Sequence, residues 1–284
     1  MNRANKPSQR FVHWPARPDS TTRQGLPEAA AERRGTTAGL AGTAPAPIAT
    51  RRAPLPAAVP GPSRCLPRRS GLDSDAMRRA MVDRLRQQGD YDERVLQALL
   101  AVPRHHFVEP ALAAQAYLDN ALPIGHEQTI SKPSVIARGL DAALRMLAPR
   151  QTLGKVLDIG TGCGYAAAVT ARIADDVYSV ERIRALHDLA RANLRALRVP
   201  NLRLLLGDGM AGCPAGAPFD VIISAAAALE PPQAWLDQLA IGGVLVAPLG
   251  DPQQLVLLRK RGATRFEVQS IEGAKFVPLK SGLK

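Results

Sequence analysis

The feature that most constrains the fold of this chain is an apolar run that ends in an acid and leads into three glycines at every second position. Residues 156–165 read V-L-D-I-G-T-G-C-G-Y, and a second apolar run at 177–181 ends in Glu181. This pattern predicts a strand, a glycine-rich turn, a helix, and a second strand with a carboxylate at its end, which is a nucleotide-binding βαβ unit. Glycine lets the backbone turn tightly and approach a ligand without a Cβ in the way.

The spacing of the glycines and the acid before them indicate which nucleotide is bound. Dinucleotide sites use G-x-G-x-x-G against a pyrophosphate, whereas here G-x-G-x-G follows Asp158. A carboxylate at that place would repel a pyrophosphate but suits a cationic ligand. S-adenosylmethionine carries a sulfonium, an ammonium and a ribose. The ordered set of Asp158, the glycines, Glu181 and a later G-D-G at 207–209 therefore predicts an S-adenosylmethionine site.

From residue 155 onward, strand patterns and helix patterns alternate. Strands are predicted at 155–159, 177–180, 202–206, 219–224, 243–249 and 254–259, and helices near 164–174, 183–197 and 232–239. This alternation predicts an α/β domain with a mostly parallel twisted sheet and helices on both faces. Together with the predicted S-adenosylmethionine site, it leads us to expect a Rossmann-like class I methyltransferase fold. Ligands of such sheets bind beyond the carboxyl ends of the strands. Asp158, Glu181, Asp208 and Ala225 are expected at those ends.

A small helical addition is predicted before this sheet. Met77, Met81 and Leu85 recur at helical spacing, Asp92 can cap a second helix that Pro103 ends, and a third helix begins at 133. The segment 104–130 between them shows no clear period, and an ordered irregular segment of that length is usually functional.

Composition divides the chain at about residue 76. Residues 1–76 contain 11 of the 24 prolines, two aromatic residues, and a net charge of +7 out of the chain's +12. Such sequence cannot bury enough apolar surface to offset the loss of chain entropy. We therefore predict a disordered extension over 1–76 and one folded domain over 77–284. Because Met77 and Met81 lie where patterned sequence begins, we interpret the extension as the product of a start site assigned too far upstream.

The remaining composition bounds the partners and the compartment. The excess positive charge lies mostly in the extension and is not interleaved with aromatics, so no nucleic-acid partner is expected. No apolar run of 18 residues and no secretory signal pattern is present. Cys65, Cys163 and Cys213 lack metal or disulfide spacing, so no metal is expected. These features predict a cytoplasmic protein, which we expect to be a monomer.

Several segments resemble, in order, the signature of the protein-L-isoaspartate O-methyltransferase family. They are R-H-H-F-V at 104–108, A-Y-L-D at 116–119, L-P-I-G at 122–125, Q-T-I-S at 128–131 and F-V-P-L at 276–279. The resemblance covers about 77–284, and the Q-T-I-S and F-V-P-L segments are specific to the family. It implies transfer of a methyl group from S-adenosylmethionine to the α-carboxylate of L-isoaspartyl residues in damaged proteins and peptides. The ester then closes to a succinimide, which hydrolyses partly back to aspartate.

The resemblance also implies the site residues. Ser131 would contact the reacting carboxylate, although the sequence also allows it to be only the cap of the helix beginning at 133. Residues 128–130 would cover the cofactor, Glu181 would bind the ribose hydroxyls, and Asp208 would lie near the adenine. The expected cofactor-binding residues are Gln128, Thr129, Ile130, Asp158, Gly160, Thr161, Gly162, Gly164, Glu181, Arg182, Asp208 and Gly209.

Two departures from the family pattern lie near the expected substrate cleft. Glu127 stands where the family usually has a second glycine, and Ala228 and Leu229 stand where it usually has proline. These changes bear on substrate choice, and the alternative is a methyltransferase acting on another carboxyl group, an amine or a nucleic acid. Against the nucleic acid, the fourth strand is followed by S-A-A-A-A at 224–228 and by no N/D-P-P-Y segment.

Overall fold

The computed structural model describes residues 10–13 and 74–284, and its main element is an eight-stranded sheet of order β1-β11-β10-β9-β7-β4-β5-β6. The strands are β1 (Arg10–His13), β2 (Leu122–Gly125), β3 (Gln128–Ile130), β4 (Lys155–Ile159), β5 (Asp176–Glu181), β6 (Leu202–Leu206), β7 (Phe219–Ser224), β8 (Ala226–Ala227), β9 (Leu239–Leu249), β10 (Gln254–Lys260), β11 (Arg265–Gly273) and β12 (Val277–Pro278). The α-helices are α1 (Ser74–Gln88), α2 (Glu93–Ala101), α3 (Pro133–Leu147), α4 (Tyr165–Thr170), α5 (Arg184–Arg195) and α6 (Gln233–Gln238).

The sheet has a parallel half and an antiparallel half. Strands β6, β5, β4, β7 and β9 run parallel, whereas β10, β11 and β1 continue the sheet with antiparallel pairs. The chain leaves β4 towards β5 on one side and returns to β7 on the other. This reversal opens a crevice at the carboxyl ends of β4 and β7, where α/β sheets bind ligands. The predicted Rossmann-like fold is confirmed.

Alternating side chains of the central strands fill two hydrophobic clusters, one on each face of the sheet. In β4, Val156 belongs to the cluster with α1 to α5, and Leu157 belongs to the cluster with α6. Trp235 of α6 is completely buried in the second cluster. The helices therefore cover both faces, as the two-sided apolar pattern of buried parallel strands requires.

The N-terminal helical addition packs on the sheet through α3. Helix α2 begins as the sequence predicts, because the Asp92 carboxylate accepts a hydrogen bond of 2.9 Å from the Arg94 backbone N–H. The segment 104–130, in which the sequence shows no period, contains two short 3₁₀ helices and the β2–β3 hairpin. None of the helices within 74–284 is long and apolar enough to cross a lipid bilayer.

Some elements lie outside the predicted bounds. Helix α1 begins at Ser74, three residues before the expected domain start. Residues 10–13, inside the segment predicted to be disordered, form a strand paired antiparallel with β11, so that prediction is wrong for these four residues. The rest of 1–73, including Cys65, lies outside the described residues.

Candidate cofactor and substrate site

The crevice at the carboxyl ends of β4, β5 and β7 holds a cavity of about 310 Å³, which we call the cofactor cavity. This volume lies at the lower end of the range of about 300–1,000 Å³ typical of small-molecule sites. Several segments that are distant in sequence form its wall. They are the β2–β3 hairpin, the end of β4 with the glycine loop, the end of β5 with the start of α5, Gly209, residues 225–226, residues 277–280, and Lys284.

The glycine loop is held in a shape that a side chain would oppose. Gly160 and Gly162 have φ of 90° and 56°, in the left-handed region that glycine adopts readily. Glu181, which is 4% exposed, accepts a hydrogen bond of 2.8 Å from the Gly162 N–H and one of 2.9 Å from the Ile183 N–H. The carboxylate at the end of β5 therefore fixes both the glycine loop and the entry into α5.

Asp158 is a buried acid at the carboxyl end of β4. It accepts a hydrogen bond of 2.6 Å from the Ser179 hydroxyl, which in turn lies 2.6 Å from the Thr161 hydroxyl. Burial raises the pKa of Asp158 to about 6; the Ser179 hydrogen bond lowers it and the Glu181 charge adds to the rise. Because burial disfavours the ionised form of this carboxyl group, a nearby cation would favour its ionisation.

The β2–β3 hairpin presents its tip to the cofactor cavity. Gln128 and Thr129 line the cavity, as do the turn residues His126 and Glu127. His126 and Glu127 have φ of 52° and 60°. L-residues with side chains adopt this conformation at a cost that glycine does not incur. The φ at Glu127 gives the physical reason why the related family usually has glycine there.

The C-terminal segment closes another side of the cofactor cavity. Strand β12 pairs in parallel with β8, and residues 277–280 and Lys284 line the cavity. The Arg182 guanidinium donates to the backbone oxygens of Gly282 and Ser281, at 2.9 and 3.3 Å. The Asp208 carboxylate accepts from the Gly282 N–H at 2.8 Å. These contacts fasten the segment to the edge of the sheet.

The structure brings most of the expected cofactor residues to this cavity. Those that line it are Gln128, Thr129, Gly160, Gly162, Glu181, Arg182 and Gly209. The remaining five lie nearby with other contacts. Ile130 is buried in the core, Thr161 bonds to Ser179, and a Cβ on Gly164 would lie 2.9 Å from Leu194, so that glycine permits close packing of α5. Both Asp208 oxygens accept backbone N–H groups, from Met210 and Gly282, and Asp158 faces a second, smaller cavity.

A neighbouring groove of about 490 Å³, which we call the substrate groove, contains Ser131. The groove and the cofactor cavity share Thr129, Ala225 and Val277 as a common wall. Ser131 and Asp158 also border a smaller cavity of about 50 Å³, which shares Ala225 with the other two. A ligand in the groove would therefore lie next to a ligand in the cofactor cavity.

The structure separates the two predicted roles of Ser131. The N-cap of α3 is Lys132, with no side-chain capping bond, so the interpretation of Ser131 as the cap is wrong. Asp119 caps the helix instead, accepting from the Ser134 N–H at 2.9 Å and from the Ser134 hydroxyl at 2.7 Å. Within residues 74–284, the Ser131 hydroxyl has no hydrogen-bond partner. It is half-buried and available to a ligand in the substrate groove.

Sequence reasoning missed the C-terminal wall of the cofactor cavity. Lys280 and Lys284 line the cavity together with residues 277–279. Ile183 and Leu186 at the start of α5 also line the cavity and were not predicted. The F-V-P-L segment at 276–279 is the only sequence signal for this wall, and its role follows only from the pairing of β12 with β8.

Comparisons with known proteins agree with this geometry. A family model described as protein-L-isoaspartate(D-aspartate) O-methyltransferase (PCMT) matches residues 76–284. The protein-L-isoaspartate O-methyltransferase of Ralstonia nicotianae is 56% identical over 227 residues, which are 75% of this chain and 71% of that protein. The enzyme of the same name from Burkholderia mallei is 53% identical over 246 residues, 84% of this chain and 75% of its own length. The second match is longer than 76–284 and so extends upstream of it.

Two solved structures share the fold. A protein-L-isoaspartate O-methyltransferase from Plasmodium falciparum, crystallised with S-adenosyl-L-homocysteine, covers 72% of this chain and 98% of its own with a TM-score of 0.62 and 23% identity. Another structure named protein-L-isoaspartate O-methyltransferase has a TM-score of 0.63 and 27% identity, and covers 72% of this chain and 67% of its own. The first, at that identity, supports the fold alone.

Proposed function

Because this chain belongs to the protein-L-isoaspartate(D-aspartate) O-methyltransferase family, we propose that its two adjoining cavities divide the reaction between cofactor and substrate. The enzyme transfers a methyl group from S-adenosylmethionine to the α-carboxylate of an L-isoaspartyl residue in a protein or peptide. The observation that carries the division is the wall of Thr129, Ala225 and Val277, which both cavities share.

The residues of the cofactor cavity fit S-adenosylmethionine. Gly160 and Gly162 leave room for a ligand against the backbone, and Glu181 offers carboxylate oxygens to ribose hydroxyls. The buried Asp158 carboxylate borders the adjoining smaller cavity and would supply a negative charge from there. When bound, S-adenosylmethionine supplies a methyl group activated by a cationic sulfur.

The substrate groove needs to position a nucleophile and needs no base. An α-carboxylate has an ordinary pKa of about 3.5, so it is already ionised at neutral pH. The Ser131 hydroxyl, which has no partner within 74–284, would donate to one carboxylate oxygen and leave the other to attack. Thr129, Ala225 and Val277 place the two cavities side by side, so that a bound substrate and cofactor would displace water from the contact between them. Alignment and desolvation of this kind account for large rate increases without acid–base groups.

The experiment that tests this function compares a peptide containing L-isoaspartate with its twin containing ordinary aspartate. With radiolabelled S-adenosylmethionine, we expect label in the isoaspartyl peptide and none above background in the twin. Equal labelling of both peptides would contradict the substrate assignment. Label found only in added RNA would favour the alternative of a nucleic-acid methyltransferase.

We also propose that the enzyme acts as a cytoplasmic monomer on protein substrates and has no nucleic-acid partner. Cys163 and Cys213 are buried free thiols, as a reducing compartment allows. Light scattering of the purified full chain measures the mass directly, and a value near 30.3 kDa is expected for the monomer.

A further inference from the structure

The substrate groove carries a positive charge that the structure leaves uncompensated. Three charged residues line it: Lys132, Glu272 and Lys275. The Glu272 carboxylate forms an ion pair with the Arg138 guanidinium, so its charge is already balanced. Among the residues the structure describes, neither Lys132 nor Lys275 has an ion-pair partner, and both are exposed. The two ammonium groups are therefore free to meet charges on a bound peptide.

Both lysines stand on backbone that is held in place. Lys132 follows Ser131 directly and is the N-cap of α3, whose first turn is fastened by the hydrogen bonds from Ser134 to Asp119. Lys275 lies between two anchored residues. The Ala274 N–H donates to the Gln253 carbonyl at 3.0 Å, and the Phe276 N–H donates to the Gln253 side chain at 2.8 Å. Lys132 and Lys275, which we call the positive rim of the groove, therefore extend from anchored backbone on the same groove as Ser131.

We infer that this rim selects L-isoaspartyl sites whose neighbouring residues are acidic. The inference rests on the proposed function, because it assumes that the isoaspartyl carboxylate binds at Ser131. A peptide with its carboxylate there must lay its flanking residues along the same groove. Aspartate or glutamate at those places would meet Lys132 or Lys275, whereas lysine or arginine would be repelled. Complementary charge of this kind gives specificity and faster encounter.

The size of the effect follows from the exposure of the groove. An exposed pair of opposite charges changes a binding constant by about 1.5- to 5-fold. Two such contacts, each replaced by repulsion in the wrong peptide, predict a difference in kcat/KM of about tenfold at low ionic strength. Salt screens exposed charges, with a Debye length of about 10 Å at 0.1 M and 3 Å at 1 M. The preference should therefore shrink towards unity in 1 M salt.

The test measures kcat/KM for three isoaspartyl peptides of equal length, with glutamate, glutamine or lysine on both sides of the isoaspartyl residue. We expect the order glutamate, glutamine, lysine for the full-length enzyme. The charge reversals Lys132→Glu and Lys275→Glu should each reduce the ratio between the first and the last peptide, and the double variant should invert it. Lys132→Glu is expected to fold, since an acid at a helix N-terminus is favourable.

Arg172→Glu is the matched control. Arg172 is exposed in the turn before β5, so it lies at the amino ends of the parallel strands, whereas the groove lies at their carboxyl ends. The substitution changes the net charge by the same amount and should leave the peptide ratio unchanged. Equal rates for the three peptides would overturn the inference while leaving the methyltransferase function intact. A ratio that Arg172→Glu alters as much as Lys132→Glu would also overturn it, because net charge would then be the cause. If no isoaspartyl peptide were methylated, the proposed function itself would fail.

Discussion

Replacing Ser131 by alanine tests the chemistry of the substrate groove with little interference from folding. The hydroxyl is half-buried in the groove, has no partner within 74–284, and does not cap α3. Its removal should therefore change the free energy of unfolding by no more than about 0.5 kcal/mol. If the hydroxyl orients the attacking carboxylate, loss of this single donor should lower kcat/KM about 100-fold, or about 2.7 kcal/mol.

Ser134→Ala is the matched control on the same helix. It removes the 2.7 Å hydrogen bond to Asp119 from a side chain that is 3% exposed. This change should destabilise the protein by about 1 kcal/mol and leave turnover per folded molecule unchanged. Ser131→Ala should therefore lower the rate and leave stability unchanged, whereas Ser134→Ala should lower stability and leave the rate unchanged.

The assay combines a thermal melt, methylation of an isoaspartyl peptide, and calorimetry with S-adenosylhomocysteine. Ser131→Ala should have the same melting temperature as the unaltered protein and the same Kd for S-adenosylhomocysteine, but it should methylate the peptide slowly. A normal rate would refute the role of Ser131 at the reacting carboxylate, whatever the melting temperature. A loss of rate shared equally by Ser134→Ala would refute the reasoning as well, because it would trace the effect to the start of α3.

Three further predictions concern the cofactor side. Glu181→Ala removes the acceptor of the Gly162 and Ile183 N–H groups together with the proposed ribose ligand. In calorimetry, the binding free energy of S-adenosylhomocysteine should weaken by about 2–3 kcal/mol, which raises its Kd roughly 30- to 150-fold. An unchanged Kd would remove Glu181 from the site. Because the pKa of Asp158 is about 6, S-adenosylmethionine affinity should fall as pH drops from 7 to 5, with proton release on binding, while Asp158→Asn should bind more weakly and without that pH dependence. In the ligand-free protein the same raised pKa makes the free energy of unfolding decrease as pH rises from about 4 to 6, since the folded state holds the extra proton there. Glu127→Gly should relieve the left-handed φ of 60° and raise the melting temperature by about 2–4 °C; a lower value in differential scanning calorimetry would contradict the account of that turn.

The parallel half of the fold follows from local sequence because its strands are short apolar runs: β4, β5 and β7 are mostly buried, and the edge strand β6 is half-buried apart from the exposed Arg203. Strands β4, β6 and β7 begin and end at the predicted residues, since a continuous apolar run bounded by polar or glycine residues has few other structures open to it. The antiparallel strand β11, with its sequence R-F-E-V-Q-S-I-E-G, is missed, because only one of its faces is apolar and its register depends on β10. The short strands β8 and β12 have no local strand pattern, because their pairing joins residues about fifty positions apart.

The same distinction separates the two halves of the site. Gly160, Gly162 and Glu181 belong to one βαβ unit, so their spacing alone places them together at the cofactor cavity. The wall shared with the substrate groove is built from three elements without such a unit: the β2–β3 hairpin, the end of β7, and β12. Thr129 and Val277 belong to separate family segments and Ala225 to neither, and all three are uncharged. No spacing in the sequence joins them, so only the folded sheet brings them into one surface. A cofactor site of this class can therefore be predicted from a sequence motif. The groove that chooses the substrate depends on long-range contacts, and the residues that set its charge, Lys132 and Lys275, can be recognised only once those contacts are known.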